Sequence, residues 1–130
     1  MNKYPEPIVT SLESSRSLAL IDFTAPSTWF YVAGVLQFYS QSEQEDGAAN
    51  GLIPAFDLET ILRALPHVVD SAVYPTLTVR FGVDREDTYI GYQTFEGFND
   101  WTLKQETGET LADTAARLLV KLTKEGITNY

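Results

Sequence analysis

The sequence predicts an α+β fold: a mainly antiparallel sheet of three to five strands with about three helices packed on it, on one face or on both. Three observations carry this expectation. Residues 76–95 alternate apolar and polar side chains on either side of a short charged break, as two paired strands do. Residues 111–122 repeat leucine and alanine at helical spacing. An aromatic, β-branched run at 28–39 lies between two short stretches that carry helix-capping residues. The 130 residues, 44% of them hydrophobic and 12% aromatic, supply one core, so a single domain over 1–130 is expected.

The first nine residues contain Pro5 and Pro7 and read as an extended arm. Thr10-Ser11-Leu12-Glu13 matches a capping box with Thr10 as N-cap, opening a helix to about Leu20. Its apolar stripe is thin: Leu12, Ser15 and Ala19, with Leu18 beside it. Asp22, Thr24, Pro26 and Ser27 end it. From Thr28 to Tyr39 the chain is apolar at odd and even positions alike, which suggests a strand covered on both faces. Gly34 marks either a bulge or a turn that divides this run into two strands. Residues 40–51 are polar and read as a mobile loop. Its acids do not form a calcium loop. With Gly47 at the sixth place, Ser42 and Gln44 fill the first and third, and Ile53 falls at the twelfth, where a bidentate carboxylate is needed. Asp57 caps a second helix carrying Leu58, Ile61, Leu62 and Leu65. Pro66 stops it, and His67, the one histidine, follows as a helix-end residue.

The hairpin at 76–95 is expected to pair Val83 with Thr88 across a four-residue loop, Asp84–Asp87. Phe81 then meets Ile90, Val79 meets Tyr92 and Leu77 meets Thr94 on the core face. On the outer face Gly82 meets Tyr89, Arg80 meets Gly91 and Thr78 meets Gln93. A turn over 96–100 leads to a strand at 101–105 with Trp101 and Leu103 inward. The last helix starts near Thr107 or Thr110, with Leu111, Ala115, Leu118, Leu119 and Leu122 on one face. Leu77, Val79 and Phe81 are its expected bed. Glu109 and Asp113 at its start and Arg117, Lys121 and Lys124 toward its end suit the helix dipole, and Gly126 is placed to terminate it.

Chemistry is thin. Nine basic residues against eighteen acidic give a net charge of −9, so nucleic-acid backbones and anionic membranes are not expected partners. There is no cysteine, hence no disulfide and no thiolate metal site. The N-terminus has no apolar targeting core and the longest apolar run is eight residues, so a cytoplasmic protein is expected. Phosphate loops, nucleophile elbows and zinc-protease motifs are absent, and one histidine serves no obvious triad. No catalytic residue, metal ligand or cofactor is assigned. The candidate binding surface is the outer hairpin face, where Arg80, Tyr89 and Gln93, joined by Lys104 from the next strand, present guanidinium, aromatic and polar groups to a small anion or a peptide. The plainer alternative is a solvated face on which Tyr89 covers the bare backbone of Gly82.

The order of features (TSLESSRSLALI, then STWFYV, a polar loop, LIPAFDLETILRALP, a hairpin, and GETLADTAARLLVKLTKEGI) resembles small uncharacterised proteins of prophages and mobile elements in gut bacteria. The resemblance covers most of the chain and implies a mobile-element setting; it lends no catalytic residues. Two functions from different classes follow as expectations. The first is a non-enzymatic interaction or accessory protein with a protein partner, for which a homodimer is also compatible. The second is a small hydrolase using carboxylates or a weakly bound divalent metal.

Overall fold

The computed structural model describes residues 8–66, 76–81, 88–94 and 97–127, with the side chains of 76–81, 93–94 and 97–100 excepted. The fold is α+β; the described residues form four helices and, in place of one sheet, two three-stranded antiparallel sheets.

Helix α1 (Leu12–Leu20) is capped by Ser11, whose hydroxyl accepts the Ser14 N–H at 3.2 Å. This corrects the expectation of Thr10 as cap, and the reason is burial. Thr10 is fully buried. Its hydroxyl accepts the Phe56 N–H at 3.1 Å and lies 2.7 Å from the Ser15 hydroxyl, and its carbonyl accepts from the Tyr31 hydroxyl at 2.8 Å. Thr10 thus satisfies buried polar groups that would otherwise lack partners. The helix ends on Asp22, in the left-handed region at φ 57°. The Phe23 N–H then returns to the Leu18 carbonyl at 3.0 Å, which turns Phe23 into the core.

Strands β1 (Trp29–Val32) and β2 (Val35–Phe38) form a hairpin, so the run at 28–39 is divided by a turn. The turn residues Ala33 and Gly34 both have positive φ, 50° and 82°, which matches the twist of tight two-residue hairpins. The segment expected as a mobile loop instead carries helix α2 (Gln41–Glu45), with a complete capping box between Ser40 and Glu43. The Gln44 amide ties it down by donating to the carbonyls of Ser27 at 2.9 Å and Tyr39 at 3.0 Å. Strand β3 (Ile53–Ala55) then pairs with the free side of β1. Helix α3 (Leu58–Ala64) is capped by Asp57 as expected, and Pro66 follows its end. His67 lies outside the described residues.

The second sheet has the order β4 (Thr76–Phe81), β5 (Thr88–Thr94), β6 (Gly97–Lys104). Its hairpin register differs from the expected one by two residues. Phe81 pairs with Thr88, Val79 with Ile90, and Leu77 with Tyr92. A two-residue slip leaves the alternation of a strand unchanged, so alternation alone could not distinguish the two registers. Strand β6 begins at Gly97, where a turn over 96–100 was expected. An irregularity between Gly91 and Gln93 takes up the surplus residues of β6.

Helix α4 (Leu111–Lys124) starts at Thr110, which accepts the Asp113 N–H, and ends at Gly126, φ 81°. The Ile127 N–H returns to the Leu122 carbonyl at 2.8 Å, closing the helix end. Leu118, Leu119 and Leu122 are fully buried in one core with Leu18, Phe56, Ile61, Leu65, Ile90 and Tyr92. The helix packs on α1, α3, β5 and β6. Ile90, Tyr92, Trp101 and Leu103 are therefore part of its bed. The side chains of Leu77, Val79 and Phe81, the expected bed, lie outside the description.

Candidate functional site

The four residues singled out from the sequence come to one face of the second sheet. Arg80 pairs with Tyr89, and Tyr89 with Lys104, so the three form a row across β4, β5 and β6. Gln93 follows four positions along β5 on the same side, opposite Thr76. Tyr89 is half-buried and Lys104 exposed. The side chains of Arg80 and Gln93 are not among those described. The expected pairings of Arg80 with Gly91 and Tyr89 with Gly82 are corrected by the register. Gly91 lies opposite Thr78 and Thr102, and it offers no room for a neighbour. A Cβ there would come within 2.3 Å of both the Thr102 Cα and the Trp101 carbonyl oxygen. The glycine therefore permits close approach of the β6 backbone and leaves no recess on the face.

One charged constellation was not legible in the sequence. The Glu109 carboxylate receives Arg117 Nε at 2.7 Å and Nη2 at 2.8 Å, a bidentate pair. It also accepts the Thr114 hydroxyl at 2.8 Å and the Glu106 N–H at 3.0 Å. Arg117 Nη2 donates as well to the Lys104 carbonyl at 2.7 Å. Burial alone would raise the Glu109 carboxyl, but the bonds from Arg117, Glu106 and Thr114 outweigh it and hold the group below its usual range. The bond to Glu109, with its charge, raises Arg117 in turn. Oε1 accepts three of these bonds and Oε2 one, all from donors of its own chain. The arrangement clamps the end of β6 to α4. A spacing of eight residues across a loop carries no helical pairing signal, which is why the sequence concealed it.

The Tyr92 hydroxyl is likewise committed. It donates to the Pro66 carbonyl at 2.7 Å, and burial pushes its pKa up to about 12. A cleft of about 900 Å³ opens between α1 and α4, floored by Leu103, Ala116 and Val120. Asp113 on its wall accepts the Ser11 N–H at 2.7 Å. Among the described residues no three acidic, histidine or cysteine side chains gather in a way that could hold a metal ion. No described helix is long and apolar enough to cross a membrane.

The first sheet offers a different surface. Register places Trp29, Tyr31, Leu36, Phe38, Ile53 and Ala55 on one face; Ala55 is buried and the other five are half-buried. Trp29 and Phe38 meet edge to face, their ring centroids 5.6 Å apart. On the other face Phe30 is buried and meets Tyr39 edge to face, while Val35 is 58% exposed. The hairpin lies within residues 23–42, a stretch of twenty without a single charged side chain, in a chain of net charge −9.

No family model, curated protein or solved structure matches this chain.

Proposed function

We propose that this protein is a non-enzymatic interaction module that binds a protein partner through the half-exposed face of the β1–β2–β3 sheet. The observation that carries this reading is the pairing of five half-buried apolar side chains on one face with a twenty-residue stretch free of charge. Apolar surface gathered in this way departs from the scattered apolar exposure of an ordinary soluble surface. Aromatic side chains at the centre of such a face supply large contact area at low entropic cost. The row of Arg80, Tyr89 and Lys104, with Gln93 beyond it, serves in this reading as a second contact surface for carboxylate groups of the partner. The resemblance seen in the sequence supplies the proposed setting, an accessory factor of a phage or mobile element.

A photo-crosslinking residue at Ile53, compared with one at exposed Lys124, tests the reading in cells that make the protein. Ile53 should give a discrete adduct with a different protein that Lys124 does not give. Identical patterns at the two positions would sink the proposal.

A further inference from the structure

The two edges of the first sheet are unlike. On one side Pro54 lies in β3 and has no N–H to offer, and the incoming chain covers the end of that strand, with the Thr10 N–H bonded to the Phe56 carbonyl at 2.9 Å. On the other side β2 is the last strand among the described residues. Its sequence, Val35-Leu36-Gln37-Phe38, has no charge and no proline, the devices that usually guard an edge.

The hairpin fixes which backbone groups point outward. The Tyr39 N–H bonds to the Thr28 carbonyl at 2.7 Å, so Thr28 and Tyr39 are a hydrogen-bonded pair. Antiparallel pairs alternate. Phe30–Gln37 and Val32–Val35 then bond within the hairpin, and Tyr31–Leu36 is a non-bonded pair. The N–H and carbonyl of Leu36 therefore point away from β1, toward the open edge.

We infer that β2 pairs antiparallel with β2 of a second copy, joining two three-stranded sheets into one of six strands. A two-fold axis at Leu36 sets it against the partner's Leu36, with Val35 against the partner's Gln37. This register keeps the two apolar faces on the same side of the joined sheet. One feature of charge and one of the sheet edge favour a second copy here. Each copy carries −9, so two copies must meet where neither presents charge, and residues 23–42 are the longest charge-free stretch of the chain. The proline-bearing outer edge then ends the sheet, so the assembly closes as a two-fold dimer and does not extend into a fibre. The inference concerns the strand edge and the binding reading concerns the face bearing Trp29 and Ile53, so the two stand or fall separately.

Sedimentation of the full chain over a range of concentrations tests it, with Leu36→Pro and Val35→Lys as variants. Leu36→Pro removes an N–H that bonds nothing in the hairpin; Val35→Lys places a charge on the exposed edge. The parent should sediment at twice the chain mass, and added salt should tighten the dimer by screening like charge. Both variants should sediment as monomers with the parent's circular dichroism. If Leu36→Pro loses its fold, Val35→Lys decides. A parent that stays monomeric at millimolar concentration, or a dimer that survives in Val35→Lys, overturns the inference.

Discussion

The two sheets of this protein use similar residues to opposite ends. The β4–β5–β6 sheet lays Ile90 and Tyr92, both fully buried, under α4, with Trp101 and Leu103 half-buried beside them. The β1–β2–β3 sheet is more aromatic, yet Trp29, Tyr31, Leu36 and Phe38 all remain half-buried. The difference lies in what each sheet is given to pack against. The second has a fourteen-residue helix whose buried residues include three leucines and three alanines, short side chains that let helix and strands approach closely. The first has a nine-residue helix whose buried residues are Ser15 and Leu18, joined through the Thr10 hydroxyl. A polar knot positions the small sheet and leaves most of its apolar side chains half-buried. Apolar content alone therefore does not locate a core; the opposing surface does.

The largest expected effect tests the dry side of this comparison. Leu118 is fully buried between the sheet and the helices. Leu118→Ala should cost about 2–5 kcal/mol in urea melts through lost burial and a cavity. Leu118→Asp would bury an unpaired carboxylate and should abolish cooperative unfolding altogether. A Leu118→Asp protein that melts like its parent would show that α4 is not docked by this face, and the contrast between the sheets would collapse.

A smaller effect comes from the clamp between β6 and α4. The Glu109 carboxyl is depressed in the folded protein relative to its unfolded value near 4.3. Its contribution is therefore complete above the unfolded value and is lost as pH falls through the folded one. Glu109→Gln keeps the shape and removes the charge. It should cost about 1.5–3 kcal/mol at neutral pH, the range for a hydrogen bond to a charged group. The gap between parent and variant should narrow as the pH is lowered from 6 toward 3. A gap that stays constant over that range would mean that the carboxylate charge contributes nothing to the clamp.

Much of this was readable beforehand, and the failures share a cause. Asp57 and Gly126 have local signatures and act where the sequence puts them, and of the two starts open to the last helix, Thr107 and Thr110, the structure uses Thr110. The core face of β5, with Ile90 and Tyr92, was legible because it depends only on alternation. The register of the β4–β5 hairpin was not, because a two-residue slip leaves alternation unchanged. Thr10 was misassigned because its hydroxyl is claimed by Phe56, 46 residues away. The same holds for Gln44, whose two carbonyl partners turn a polar stretch into a docked helix. The candidate row was half legible: the sequence placed Arg80, Tyr89, Gln93 and Lys104 on one face, while their neighbours depended on the register.

The smallest expected effect sharpens the comparison from the wet side. Ala33 sits at φ 50° in the β1–β2 turn, a region where an L side chain carries a penalty of about 1–2 kcal/mol. Glycine takes that conformation freely, but it also loses more entropy on folding, by roughly 0.5–1 kcal/mol. The two terms oppose each other, and the relief of strain is the larger. Ala33→Gly should therefore raise stability by about 0.5–1 kcal/mol, read as a higher urea midpoint with an unchanged slope. Its effect should also be local. Exchange of the amides that bond across the hairpin, Tyr39 among them, should slow more than exchange in α4 if the small sheet opens on its own. Equal slowing everywhere would mean that the two sheets unfold as one unit, so that their difference in burial does not extend to their stability. A lower midpoint would mean that the hairpin draws on the Ala33 side chain for packing, and the turn would then belong to the half-buried face.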